Sequence, residues 1–404
     1  MINWIIHLVF LVVLATVCFK KLNTDLPLIL FALTLILKLT AGLILGWIFT
    51  SYYQSGDTLV FFEKSKILAK LPILEYLKVI FSSSTYEVSA EPRVLFFTKF
   101  LSFFVRITSG SYWISSLYLS FISFCAAWYS VHVLKNIYPS ILTISMVSFL
   151  LIPTVVFWSS GILKDSLAFS ALAFLVSIVL KVYHKKRTSF FEMLLFIMGI
   201  FILLKMKHYL LISFLLLVGL LSFCALFKQS SLNYRLLGIG IFVVAVITTQ
   251  FIHPSLKFNR LVHTLYKNNQ TIKTKTDPQN RLSIDIESPE ILSLLNEVPE
   301  AIHIGLFRPS LFDKTSIWGW FHRIENTILA FLFSFSLLLY LKYHPKLDLS
   351  LVISSMITML ILATILSLST PNFGTLVRYK NAFLPYFFLL CSVLPYKFLT
   401  TKEI

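Results

Sequence analysis

The sequence predicts an all-α integral membrane protein. Of its 404 residues, 57% are hydrophobic and 13% charged, a balance that soluble domains of this length do not keep. Eleven apolar stretches, each at or near the roughly 20 residues that cross a bilayer, run from Asn3 to Lys397. Inside lipid the backbone amides find no water, so each stretch has to satisfy its own hydrogen bonds as a helix.

The first stretch is Asn3–Phe19. The opening MINWIIHLVF has neither a basic n-region nor a small-residue cleavage site, so it reads as a retained span rather than a signal peptide. Pro27–Phe49 follows, then Tyr112–Leu134, Ile141–Trp158 (interrupted by Pro153), Asp165–Tyr183, Phe190–Leu204, Tyr209–Phe227 and Leu236–His253. Asn326–Leu341, Ser350–Thr370 and Phe383–Tyr396 complete the set. Three parts are expected: a transmembrane module over residues 1–253 with an outer loop at 51–110, a second outer loop at 254–325, and C-terminal helices at 326–404.

The outer loop 51–110 holds two apolar segments that carry too much charge to cross. Leu59–Phe81 contains Glu63, Lys64, Lys66, Lys70, Glu75 and Lys78 and is expected to bend at Pro72. Val94–Thr108 follows Arg93 and carries Lys99 and Arg106, seven apart, opposite Leu95, Phe96, Phe100, Phe103 and Phe104. Both are expected to lie in the membrane plane as amphipathic helices, with the cations on the polar side. A Ser/Thr-rich turn, Ser82–Thr85, joins them. In the second outer loop the stretch around Asn268–Lys275 is polar, and short helices are expected around Pro289–Asn296 and Pro299–Leu306.

A net charge of +17 suggests nucleic acid, but its distribution argues for topology. With the N-terminus outside and the eleven spans alternating, inner loops hold thirteen cations: Lys20, Lys21, Lys135, Lys181, Lys185, Lys186, Arg187, Lys228, Arg235, Lys342, Lys346, Lys397 and Lys402. Short outer connections hold five: Lys164, Lys205, Lys207, Arg378 and Lys380. That is the positive-inside bias, with the C-terminus cytoplasmic and the basic side facing anionic lipid. Cys18, Cys125, Cys224 and Cys391 all lie in apolar stretches with no metal-ligand spacing, so they read as packing residues.

Candidate chemistry gathers at the outer junctions. Asp57, in SYYQSGDT, stands just past the second span. It can act as general base for an acceptor hydroxyl or ligate a divalent metal such as Mg or Mn. The plainer reading is a Gly-Asp turn that caps the following helix. Lys164 and Asp165, in FWSSGILKDS, open a helix whose N-terminus attracts anions. Alternatively Lys164 snorkels to headgroups and Asp165 complements the helix dipole. Lys205, Lys207 and His208 share one hairpin and form either a phosphate site or an ordinary loop. Arg378 and Lys380 precede the last span, where Arg378 offers bidentate phosphate recognition or lipid anchoring. Arg308, Arg323 and Glu325 close the second long loop, and the last two are spaced so that they do not share a helix face. Lys38 lies near the middle of Pro27–Phe49, where a charge costs about 2.5–3.5 kcal/mol, so a partner or polar cavity is expected. No P-loop, GxGxxG or metal-binding His pair is present in the sequence.

Asp57 after a span, followed by Leu59–Phe81 and Val94–Thr108, resembles the layout of the GT-C glycosyltransferases over roughly Pro27–Phe227. An extra span before the loop and the lack of a DxD or ExD pair at Asp57 depart from that family's pattern. The resemblance implies glycosyl transfer at the outer face of a bacterial cytoplasmic membrane. A polyprenyl-phosphate-linked sugar would be donor, a cell-envelope glycan or protein acceptor, and Asp57 base or metal ligand. Lys164, Asp165, Lys205, Lys207, His208, Arg308, Arg323, Arg378 and Lys380 would bind substrate. A second likeness is to Wzy- and EpsG-like polysaccharide polymerases, carried by Arg308 and Gly319 in an Arg-x10-Gly spacing. It implies a centre at Arg308, Arg323 and Arg378, and other polysaccharide-assembly proteins as partners. A lipid or polysaccharide transporter or flippase, with Lys38 in its pathway, is the third reading. Nucleic acid is not an expected partner.

The charge asymmetry gives the first prediction. In a variant lacking the native cysteines, a membrane-impermeant thiol reagent applied from outside should label Ser283→Cys and spare Ser231→Cys. Reversed labelling would overturn the orientation.

Overall fold

The computed structural model describes residues 2–22, 24–82, 88, 91–226, 258–313 and 319–401. Among them every extended element is a helix, and the sole bridge of β type joins Arg281 to Asn372. The chain divides into two compact units, Met1–Leu211 and Ile212–Ile404.

The first unit begins with α1 (Ile2–Lys21) and α2 (Leu28–Trp47), which runs on through a wider π-type turn, Ile48–Tyr52. Three shorter helices follow: α3 (Asp57–Ala69), α4 (Ile73–Phe81) and α5 (Pro92–Ile107). Next come α6 (Tyr112–Ile137), α7 (Leu142–Met146), α8 (Pro153–Trp158), α9 (Lys164–Tyr183) and α10 (Phe190–Met206). α11 (His208–Leu226) closes the first half of the chain. The second unit holds α12 (Phe258–Lys275), α13 (Ile291–Asn296), α14 (Val298–Phe307), α15 (Trp320–Tyr343), α16 (Leu349–Ser369), α17 (Phe373–Lys380) and α18 (Leu384–Thr401).

Among the described residues six helices are long and apolar enough to cross a membrane: α1, α2 with its π-turn, α6, α9, α15 and α16. The count reaches seven if α17 and α18, bent by 69°, form one broken span. This supports a multi-pass membrane protein, with fewer described spans than the eleven expected. The shortfall has local causes. Ile152 is extended ahead of Pro153, so the expected span Ile141–Trp158 splits into a π-type turn (Val147–Leu151) and α8. The α10 helix has 17 residues, at the lower end of the length that crosses a bilayer. The segments Leu236–His253 and Ser231 lie outside the described residues.

Small residues set the tightest packing in the first unit, as expected for helices that associate inside lipid. Ser130 of α6 and Ser177 of α9 are bonded at 2.9 Å, and Gly199 of α10 sits against Leu175 and Ala171 of α9. At the opposite end of α10, Ser189 and Glu192 form a capping box. Glu192 also accepts from Lys181 at 2.6 Å and Tyr129 at 2.6 Å, which ties α6, α9 and α10 together. In the second unit a Cβ on Gly305 would lie 2.6 Å from the Ala363 carbonyl, so α14 approaches α16 closely.

The segment from α3 to α5 is broken at Leu71–Pro72, as expected, and none of the three helices reaches span length. The placement of their cations differs from the expected polar side. Lys99 is only 9% exposed and donates to the Val79 carbonyl at 2.7 Å and the Ser82 carbonyl at 2.9 Å. Arg106 donates to Ala69 and Leu71 at 3.0 and 2.8 Å and packs over Tyr76. Helix C-termini leave carbonyls without intrahelical donors and carry partial negative charge. The two α5 cations therefore cap the ends of α3 and α4 rather than face water.

Removing either cap should cost about 1–3 kcal/mol, the worth of a hydrogen bond to a charged group plus an orphaned carbonyl. Lys99→Met and Arg106→Met are each expected to lower the thermal midpoint in detergent by several degrees, whereas Lys78→Met, on an exposed position of α4, leaves it unchanged. Equal midpoints for all three proteins would refute the capping role.

Candidate functional site

In the first unit the chain folds three of the four candidate groups towards one end. Gly56 takes φ 131°, a conformation suited to glycine, and turns the chain into α3 with Asp57 as its first residue. The Asp57 side chain is exposed and stands at the positive end of the α3 dipole. Beside it, the Thr58 hydroxyl shares a 2.6 Å hydrogen bond with Tyr112 of α6. One helical turn along, the Phe61 ring carries the Lys164 ammonium 4.9 Å from its centroid. Lys164 is the first residue of α9, so the N-termini of α3 and α9 meet across Phe61.

Asp165, next in line, is buried and paired with Lys207, which also donates to the Tyr209 hydroxyl at 3.1 Å. The three cationic or imidazole groups of the hairpin thus separate. Lys207 turns inward and is neutralised, while Lys205 and His208 are exposed. Lys205 lies over Phe201 at 5.7 Å. Phe61 packs on Phe97 at 5.1 Å and Phe96 packs on Phe201 at 5.6 Å. An aromatic row across α3, α5 and α10 therefore separates Lys164 from Lys205.

Behind Lys164 is a break in the helical run, residues 159–163, and a buried pedestal holds it. Lys38 is 2% exposed and donates to the Val155 and Val156 carbonyls, both at 3.4 Å, and to the Ser159 hydroxyl. Its ammonium also lies 5.3 Å from the centre of the Phe169 ring. One turn further along α2, Gly42 lies against Gly161, whose amide donates to Ser120 at 2.9 Å. Ser116 donates to the Gly42 carbonyl at 3.1 Å. Gly161 itself has φ 70° and no room for a side chain. A further turn on, Gly46 meets Tyr112, the partner of Thr58. Lys38, Gly42 and Gly46 are spaced by four, so one face of α2 supports the whole assembly. Sequence reasoning flagged Lys38 without its acceptors and passed over GLILG, a small-xxx-small pattern that marks such a face.

The second unit brings Arg308, Arg323 and Lys380 together, in a different manner. Arg308 binds Asp313 through Nε at 3.1 Å and through Nη2, reaches Ser283 at 3.3 Å, and has Glu300 at 3.6 Å. Burial alone would raise the Asp313 carboxyl, but Arg308 and the Ser310 amide outweigh it and hold the group below the usual carboxylate range. The Asp313 contact likewise holds the Arg308 guanidinium above its ordinary value. Arg323 donates to the Ser310 carbonyl at 3.1 Å and to the Leu311 carbonyl. Lys380 donates to the carbonyls of Leu306 and Arg308 and to Asn326, at 2.8, 3.2 and 2.9 Å. Arg378 is half-buried on α17. Arg308, Arg323 and Lys380 are tied to backbone, carboxylate and amide, and Asp313 and Asn326, which complete the network, carried no signal beyond their place in FRPSLFD and RIEN.

Among the described residues no group of three His, Cys, Asp or Glu side chains is placed to hold a metal ion. Asp57 as a lone carboxylate is a poor donor set for Mg or Mn, which take several oxygen ligands. No family model matches the chain, and neither curated proteins nor solved structures give a match.

Breaking a buried ion pair leaves one charge stranded, at about 3–5 kcal/mol. Asp165→Asn should therefore destabilise the first unit strongly, and adding Lys207→Met should recover most of the loss. Unfolding midpoints of the single and double variants measure this coupling, and additive losses would show that the pair is not coupled.

Proposed function

We propose that the chain is a membrane-embedded glycosyltransferase that takes a sugar from a polyprenyl-phosphate carrier and passes it to a hydroxyl on a cell-envelope acceptor. The single observation behind this reading is the contact of Lys164, first residue of α9, with the Phe61 ring, one helical turn after the exposed Asp57 at the start of α3. A carboxylate at that position takes the proton of the attacking hydroxyl. The acceptor oxygen bonds to the anomeric carbon as the bond from that carbon to the phosphate oxygen breaks. The phosphate departs with the electron pair, and Lys164 and the α9 N-terminus stabilise the growing charge. Lys205, beyond the aromatic row, is a further cation for the carrier phosphate. The reaction faces the outside of a bacterial cytoplasmic membrane, the side with few topological cations.

Two features favour this over the rival readings. Arg308, the centre of a polymerase mechanism, is already neutralised by Asp313 and Glu300. Lys38, which a transport pathway would use, has its ammonium on helix-end carbonyls and Ser159 in tight packing.

Asp57→Asn keeps the size of the side chain and removes its basicity, so turnover in isolated membranes should fall about 10²–10⁴-fold with unchanged expression. Arg308→Ala should lower thermal stability yet leave turnover per folded molecule near normal. Wild-type-like turnover by well-folded Asp57→Asn protein would eliminate this mechanism. Loss of turnover in Arg308→Ala alone would favour the polymerase.

A further inference from the structure

We infer that residues 306–313 form a re-entrant element whose Leu311–Phe312 tip lies in the acyl chains of the bilayer. The inference is independent of the proposed chemistry. It begins from an excess of hydrogen bonding. Between α14 and α15 the carbonyls of Leu306, Arg308, Pro309, Ser310 and Leu311 all accept from buried or half-buried side chains. The donors are Lys380 for the first two, Asn326 for Pro309 at 3.0 Å, and Arg323 for the last two. The Ser310 amide goes to Asp313 at 2.6 Å and the Leu311 amide to Thr327 at 3.3 Å. A loop bathed in water has no need of such partners. Irregular backbone at membrane depth does, because each unmet group there costs several kcal/mol. The ionisable residues follow the same rule: at that depth they have to be paired, and Arg308 is paired with Asp313.

Depth is set by the neighbours. Thr327 is the second residue of the apolar run Asn326–Leu341 and stands at the outer end of α15, one of the membrane-spanning candidates. Gly305, just before the element, lies against Ala363 and Ser367 of α16, inside the end of a second candidate span. Against this rigid frame Phe312 is 96% exposed and Leu311 39%. Such a side chain is costly in water, at roughly 25 cal/mol per Å² of apolar surface. Phe321, Ile324 and Ile328 of α15 are exposed as well and line the same helix stripe beside Thr327. The tip thus continues a face already suited to lipid. Acyl chains are the occupant that fits, because the tip itself offers no polar side chain.

The test uses the full chain in phosphatidylethanolamine–phosphatidylglycerol vesicles, with Cys18, Cys125, Cys224 and Cys391 replaced by alanine. Phe312→Cys carries a nitroxide, and its collisions with oxygen and with a water-soluble nickel chelate are compared by power saturation. Ile328→Cys serves as lipid reference and Thr274→Cys, exposed on the polar helix α12, as water reference. The expected result is oxygen access severalfold above nickel access, as at Ile328. Nickel access like that at Thr274 would overturn the inference and place the tip in water. Poor access to both reagents would also overturn it, because protein would then cover the tip. If Phe312→Cys does not fold, Leu311→Cys gives the same reading.

Discussion

A carbonyl oxygen cut off from water has to find a donor within the protein, and the ends and breaks of this chain's helices are built around that demand. The donors are cations. Lys38 caps the end of α8, Arg106 the end of α3, Lys99 the end of α4, and Lys380 the end of α14. In each case the cation comes from a different helix, so one interaction both completes a terminus and fixes how two elements meet. The partial negative charge at each helix end makes the arrangement favourable beyond the hydrogen bonds alone. Part of the +17 charge is therefore architectural and faces inward.

This demand limited what the sequence could show. Apolar length alone marked α1, α2, α6, α9, α15 and α16 as spans, because that signal is additive over twenty residues. It did not show that the run Ile141–Trp158 is broken at Ile152–Pro153. Charge type was legible and charge destination was not. Lys99 and Arg106, seven apart, read equally well as a wet face or as two caps, since the acceptors are backbone carbonyls that every residue carries. Asp57, Lys164 and Asp165 were visible as groups at helix starts. That Lys164 would lie over the Phe61 ring of α3 depended on a tertiary contact, which no local pattern encodes.

The two clusters differ in kind. In the first unit the polar groups are graded from a sealed base at Lys38 and Asp165–Lys207 to an exposed rim at Asp57, Lys205 and His208. A rim on a rigid base is what a reacting centre requires, because groups that meet substrate must be held by groups that do not. In the second unit Arg308, Arg323 and Lys380 are directed at backbone and carboxylate, which suits a scaffold.

The bonds from Lys38 to α8 also bear on how the protein is made. Its carbonyl acceptors lie 117 and 118 residues further along the chain. A ribosome that has just delivered α2 has not yet made them, so the nascent span enters the bilayer carrying a charge with nothing to bind. Insertion of α2 must therefore rely on its apolar flanks or on a companion already in the membrane, and α8 arrives later to claim the waiting ammonium. The order of synthesis thus makes α2 the host and the broken α7–α9 region the guest.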